Sequence, residues 1–476
     1  MQITQFFLDG LGHQSYLIAD DQSGIAVVVD PRRDVAIYLE TAQRTGTHIT
    51  HILETHLHND YVTGARELAA CTGATIVAST NACLAYEHQP VRDGDWVHAG
   101  QLRFQVLATP GHTPEHVSYL LYEPGSNKPY AVFSGGSLLV GSAGRTDLLG
   151  PDLTLPLTRQ QYRSLRRLLD TLPAQVLVYP THGAGSFCVA SSVSPTRYTT
   201  IAQERLVNPA ASVQDEDEFV RQQIAGYSAY PRYYAAMRPI NQQGPRILGK
   251  IPEPPPLTPR IVHEHMRTGT PLVDGRPRTA FAHAHIPGSL NIELDSSFST
   301  YAGWILPFNT PLLLLIEDEA GRHEATVQLI RIGYEQIEGY LQGGIMAWKA
   351  AELPLGHFEH IDVAELYRRL ARHEPLTVLD VRRADEWRTG YIPGSLRVHV
   401  ADLAGQLDTL PRDHPIATIC AAGYRAQIAA SMIAATGRQV IAVHGGVPDW
   451  IARGFPTTTD DATPLVQPDT TTHAHP

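Results

Sequence analysis

Cysteine is scarce in this chain. Four residues, Cys71, Cys83, Cys188 and Cys420, are spread over 476 positions, too few for a disulfide scaffold, so each is either a small apolar side chain or a reactive thiol. Long apolar runs are absent as well. The longest aliphatic run, LLLLI at 312–316, falls far short of a bilayer span, and MQITQFFLDGLGHQ has no cationic segment followed by an apolar one. Basic runs are also missing, and 37 basic against 48 acidic residues give a formal charge of −11. That balance argues against nucleic acid or an anionic membrane as the main partner. A cytoplasmic protein is the expectation, and at ~150 residues per domain the length suggests three domains.

What the chain does have is histidine, 23 copies, and the clusters matter more than the count. HILETHLHNDYVTG at 51–64 begins as a β-leaning run and then sets His56, His58 and Asp60 at alternate positions. Gly64 leads into ARELAACTG, a helical pattern closed by Gly73. A strand ending in a loop before a helix makes a ledge for a metal, because side chains converge there and the helix start contributes free amides. Histidine and carboxylate at short spacing suit zinc or non-haem iron. His112 in TPGHTPEH and His182 in YPTHGAGSFC occupy two further strand ends beside glycine.

Residues 1–240 alternate β-rich runs such as SYLIA, GIAVVVD, ATIVAS, LRFQVLATP and QVLVYPTHG with helical patterns at 35–45, 63–72 and 159–172. This predicts a layered α/β sandwich. Residues 241–259 are rich in Pro and Gly and read as a linker. Two copies of one pattern follow, over 260–356 and 357–458. PLVDGR, HIPGSLNI and LQGGIMAW of the first answer to LTVLDVRR, YIPGSLRV and VHGGVPDW of the second. Each reads as a small parallel-sheet domain. The tail, 459–476, is low in complexity and is expected to be disordered.

The order His-x-His-x-Asp, Gly-His-Thr-Pro, Gly-Arg-Thr-Asp, Pro-Thr-His-Gly resembles the metallo-β-lactamase superfamily, and within it the persulfide dioxygenase branch beside glyoxalase II. The resemblance covers residues 1–235 and implies an αββα sandwich and one Fe(II), with zinc as the alternative. It implies ligands His56, His112 and an aspartate in VFSGGSLLVGSAGRTDL, but Ser134, Gly135 and Gly136 stand there. Tyr61 likewise replaces the usual histidine after Asp60, so a two-metal hydrolytic centre is not expected. The expected set is His56, His58 and His112, with Asp60 and His182 joining it or orienting it. Arg145 resembles the residue that meets the glutathione carboxylate, with an ion pair to Asp147 as the other reading. Arg145, Cys188 and Tyr61 are the candidate substrate contacts, Cys188 being either a sulfur-accepting thiol or a buried one. Cys71 and Cys83 read as core.

In the second repeat CAAGYR, Cys420 to Arg425, lies between an apolar strand and a helix. The amides of Ala421, Ala422, Gly423 and Tyr424 and the helix dipole then favour a sulfur anion, and Arg425 adds charge. With Asp380, Glu386 and GGVPDW, this unit resembles a rhodanese sulfurtransferase. The aligned loop of the first repeat is EDEAGR, with Glu317 in place of the cysteine, and no thiol exists between 258 and 356. That copy is expected to be inactive and to space, dock or dimerise. Together the resemblances imply oxidation of a thiol persulfide (glutathione or another carrier) with dioxygen, and sulfur transfer through Cys420 to or from sulfite and thiosulfate. A thioester hydrolase of the glyoxalase II type, or a sulfurtransferase with a persulfide-binding first half, are the alternatives.

Overall fold

A computed structural model of the chain describes residues 1–190 and 195–459. The tail expected to be disordered therefore lies, but for Thr459, outside the described residues. Two compact units are present: Met1–Pro252 together with Val327–Tyr334, and the remainder from Glu253.

The first unit is built on two sheets. One holds β1 (Gln2–Leu8), β2 (His13–Asp20), β3 (Ile25–Val29), β4 (His48–Leu53), β5 (Thr75–Ser79) and β6 (Gln89–Val91) in that order. Strands β1–β3 are antiparallel neighbours and β3–β6 run parallel. The parallel connections pass through α1 (Ala36–Thr45) and α2 (Ala65–Thr72). The other sheet comprises β7 (Trp96–Ala99), β8 (Leu102–Ala108), β9 (Val117–Tyr122) and β10 (Pro129–Gly135). After the small hairpin β11 (Leu138–Leu139) and β12 (Ser142–Ala143), it is completed by β13 (Leu177–Pro180) and β14 (Thr199–Thr200), in the order β14-β13-β10-β9-β8-β7.

Period-2 alternation decides the layers. Tyr16, Ile18, Val27 and Val29 point inward and meet Phe104, Val106, Tyr119 and Phe133 of the opposite sheet. Their neighbours Leu17, Ala26 and Val28 point outward and bury Tyr38, Ala42 and Leu68 of α1 and α2. On the far side Leu120, Val132 and Val178 hold Leu165, Leu168 and Leu169 of α3 (Pro151–Thr171). Because both faces of each sheet are covered, the strands read as continuous apolar runs, and each fully buried large side chain contributes roughly 1.5–3 kcal/mol. The αββα sandwich expected from the sequence is the architecture found. Helix α3 begins well before the pattern at 159–172, since Pro151 occupies its first turn and Asp152 its positive end. Helices α4 (Ile201–Val207), α5 (Pro209–Ser212), α6 (Glu216–Ala225) and α7 (Tyr234–Gln243) complete the unit.

The second unit contains two five-stranded sheets, ordered β15-β19-β18-β16-β17 and β20-β24-β23-β21-β22. Their strands are β15 (Pro256–Leu257), β16 (Leu272–Asp274), β17 (Leu290–Asn291), β18 (Leu312–Leu315), β19 (Ile337–Leu341), β20 (Glu359–Asp362), β21 (Thr377–Asp380), β22 (Leu396–Arg397), β23 (Ile416–Ile419) and β24 (Val440–His444). Every pairing is parallel, as expected of two copies of one design. Each copy buries an Asp-x-Arg pair at the end of the strand next to one sheet edge, β16 or β21: Asp274–Arg276 at 2.6 Å and Asp380–Arg382 at 2.7 Å. Among the described residues no helix is long and apolar enough to cross a membrane.

Gly64 locks the start of α2 against the exit of β3. Its N–H donates to Pro31 O at 2.8 Å, and a Cβ there would lie 2.0 Å from Arg32 O. Backbone on both sides leaves no room to yield, so Gly64→Ala is expected to destabilise the first unit by about 1–3 kcal/mol. A urea titration checks this through a lowered midpoint at constant m; an unchanged midpoint contradicts it.

Candidate metal centre and sulfur-carrying loop

Three strand ends deliver the buried histidines. The loop after β4 carries His56, His58 and Asp60, the β8–β9 loop carries His112 and His116, and the turn after β13 carries His182. Asp30, at the end of β3, joins the first and third. Its carboxylate accepts from Thr55 N (2.8 Å) and Thr55 Oγ1 (2.7 Å), and from Thr181 Oγ1. The loop is also held from α7: Asn241 Nδ2 donates to His58 O and Tyr61 O, each at 2.9 Å, and Tyr233 Oη donates to Asp60 O at 2.6 Å. Glu115 accepts from Leu57 N at 2.9 Å and pairs with Arg238 of α7.

Ligand-capable atoms of His56, His112 and His182 all lie within 4.8 Å of one another, and the same holds for Asp30, His56 and His58 and for His58, Asp60 and His182. All of these side chains are buried. Burial pushes His56 and His112 well below the usual imidazole range, so both are neutral. His58 behaves oppositely. Burial opposes its charge, but Asp30 Oδ1 and Glu54 Oε2, each 3.4 Å from Nε2, prevail and raise it to about 10. His182 joins His56 and His112 in one group, while His58 shares one group with Asp30 and His56 and another with Asp60 and His182. His56, His58 and His112, the set expected from the sequence, are not brought together as one such group among the described residues. Asp60 lies beside His182, 3.2 Å from Nδ1. His112 Nε2 is buried with no hydrogen-bond partner among the described residues, which is what a cation between neutral imidazoles would satisfy. The residues present fit one metal ion.

Two histidines without a role in the sequence reading belong to this cluster. His116 stacks on His56 (centroids 4.9 Å apart) and its Nε2 accepts Gly136 N–H at 2.9 Å. His13 packs at 4.0 Å on Tyr61, and its Nε2 lies 3.1 Å from Asp30 O. Burial lowers both to about 3. Tyr61 is packed between His13 and His58 and its hydroxyl donates to Asp30 O at 3.3 Å.

Arg145 is buried and fully engaged. Two bonds of 2.7 Å join it to Asp147, others reach Phe187 O and Ser228 O, and the rings of Tyr227 and Tyr230 lie over it at 5.2 and 4.7 Å. Of the two readings of this residue, the ion pair is the contact present. Cys188 is buried, and desolvation raises its thiol well above the ordinary range. Cys71 and Cys83 correct an expectation: both are exposed, not core. Cys71 lies in the last, exposed turn of α2, and Cys83 in a left-handed position after a short turn.

In the second unit Cys420 follows β23 directly. Gly423, at φ +87°, turns its N–H onto Sγ at 3.1 Å, and Val447 N–H donates to Cys420 O at 2.8 Å. A Cβ on Gly446 would lie 2.1 Å from Ala421 O, so the Gly-Gly turn lets the loop close. Arg425 grips Glu386 through two bonds of 2.5 and 2.8 Å. Burial resists the charge on Glu386, yet Arg425 holds it down to about 2. The first copy reaches this loop. Tyr301 stacks on Tyr424 at 4.7 Å, and Arg278 Nη1 donates to Ala422 O at 3.2 Å. In its own loop Arg322 Nη1 donates to Glu317 O at 2.7 Å, and no thiol is present.

Comparison with known proteins gives the family of each part of the chain. The metallo-beta-lactamase superfamily model matches residues 8–182, and the rhodanese-like domain model matches 258–351 and 362–453. The chain is 31% identical over 217 residues to the mitochondrial persulfide dioxygenase ETHE1 of Homo sapiens, covering 44% of this chain and 74% of that protein. It is 35% identical over 169 residues to a hydroxyacylglutathione hydrolase of Rhodospirillum rubrum, covering 35% and 60% respectively. A crystal structure of a metallo-beta-lactamase from Staphylococcus aureus subsp. aureus COL superposes with a TM-score of 0.64 at 32% identity, over 71% of this chain and 98% of that one. The chain therefore belongs to the persulfide dioxygenase family of the metallo-β-lactamase superfamily, joined to two rhodanese-like domains of which the first has no cysteine.

Proposed function

We propose that this protein oxidises a low-molecular-weight thiol persulfide with dioxygen at one iron ion in its first unit, and moves sulfane sulfur through Cys420 in its second. Family membership supports an enzyme of sulfide and persulfide metabolism. The observation that carries the finer reading is the closed, buried group of His56, His112 and His182, in which His112 Nε2 has no hydrogen-bond partner among the described residues. His56, His112 and His182 would hold the iron, which would supply redox capacity for the reaction of persulfide with dioxygen. Persulfide, dioxygen and water then give thiol and sulfite, with both oxygen atoms of dioxygen going to the terminal sulfur.

The protein's own part is to fix the imidazoles and keep the site dry. Asp30 pins the His56 and His182 loops, and α7 covers the loop between His56 and Gly64. With Arg145 engaged by Asp147, a carrier's carboxylate must find another partner, and glutathione is one carrier among thiols. In the second unit the Cys420 sulfur attacks the outer sulfur of a donor such as thiosulfate. Sulfite leaves with the electron pair of the broken S–S bond, and a cysteine persulfide remains for an acceptor. Gly423 N–H and the start of the following helix stabilise the sulfur anion at each stage. Tethering raises the effective concentration of one site's product at the other. We read the protein as cytoplasmic, acting on small molecules, with no nucleic acid or membrane partner and with self-association through the silent copy.

A thioester hydrolase needs a second metal, and Gly136 and Tyr61 remove ligands for it. Anaerobic iron loading followed by oxygen uptake with glutathione persulfide tests the oxidative reading. One iron per chain with uptake is expected. Zinc with turnover of S-lactoylglutathione and no uptake overturns it. Cys420→Ser is expected to abolish thiosulfate:cyanide sulfur transfer in a thiocyanate assay, and retained transfer refutes the role given to Cys420.

A further inference from the structure

Position 136 bears directly on what completes the metal site. A Cβ on Gly136 would lie 2.2 Å from Cδ2 of His112, and one on Gly144 would lie 2.8 Å from Nδ1 of the same ring. The imidazole of His112 thus sits in a cradle of two glycines, and no carboxylate can reach the site from 136 while that ring stays in place.

Hydrogen bonding fixes where each ring keeps its proton. His112 Nδ1 is 2.7 Å from Arg145 O, a carbonyl that only accepts, so Nδ1 carries the hydrogen and Nε2 a lone pair. Thr55 Oγ1 gives its single proton to the Asp30 carboxylate, so at 2.8 Å it accepts from His56 Nδ1–H, and His56 Nε2 also keeps a lone pair. His182 Nδ1 lies 3.2 Å from Asp60 Oδ2 without forming a hydrogen bond, and the nearby carboxylate, which only accepts, favours the hydrogen on that side. Its Nε2 then lies 3.3 Å from His56 Nε2, acceptor against acceptor. A proton shared between those two would leave the Nε2 of buried His112 unmatched. A cation satisfies all three.

We propose that the His182–Asp60 pair takes the place of the missing carboxylate ligand: His182 Nε2 completes a three-imidazole set with His56 and His112, and Asp60 orients His182 from behind and supplies the negative charge one residue further out. The assignment rests on the reading that the first unit holds one iron. Three neutral ligands leave the full charge of a divalent ion facing the substrate, which favours an anionic persulfide sulfur.

Iron content after anaerobic loading and gel filtration, with the electron paramagnetic resonance of the nitric oxide-treated protein, tests this without any turnover. Wild type is expected to hold one iron per chain, and His182→Ala to lose it. Asp60→Asn is expected to weaken binding about tenfold to a hundredfold. Gly136→Asp should weaken binding as well, by displacing His112. His182→Gly with added imidazole should regain iron and the wild-type signal, which separates lost ligation from lost fold. No iron in the wild type overturns the dioxygenase reading, and this assignment with it. Iron held equally by wild type and His182→Ala, or held more tightly by Gly136→Asp, overturns the ligand assignment alone.

Discussion

A single buried carboxylate sets the geometry of the first unit. Asp30 sits at φ +49° where β3 ends, a strained position for a residue other than glycine. From there it collects two bonds from Thr55 and one from Thr181. Thr55 precedes His56, and Thr181 precedes His182, so one side chain ties a loop of the first sheet to a turn of the second. Burial alone would favour the neutral acid. His58 and these donors hold the carboxyl below its ordinary range instead. A charged acceptor in a dry interior makes each bond stronger than it would be in water, and the histidines inherit that rigidity.

Much of this was readable in advance, for identifiable reasons. Strands buried on both faces announce themselves as apolar runs, His112 and His182 each stand beside a glycine at a strand end, and His56 opens the run His-x-His-x-Asp. The two late copies declared themselves by repeated motifs. Other features depend on partners distant in sequence. Asp30 reads only as the polar end of VVVD until Thr181 is brought beside it. His116 and His13 carry no motif of their own, and their burial follows from packing against His56 and Tyr61. The spacing His-x-His likewise says nothing of Asp30 and Glu54, whose carboxylates each lie 3.4 Å from the His58 ring. Cys71 lies within helical periodicity, yet the last turn of α2 is exposed.

The second unit holds two copies of one fold, of which only the second carries a cysteine. Both copies keep the same sheet order and the same buried aspartate–arginine corner. The difference sits in one loop, where Glu317 and Asp318 stand in place of a thiol and small residues. Acidic groups there repel an anionic sulfur donor, while the framework is untouched.

The stack of Tyr301 on Tyr424 joins the two copies at the reactive loop. Tyr424 also donates its hydroxyl proton to Glu293 O, so the reactive loop borrows both a ring and a carbonyl from its silent twin. Trimming the protein back to the thiol-bearing module would strip an aromatic surface and orphan a phenol. The thiol-free copy thereby acts as a brace for the loop that carries Cys420.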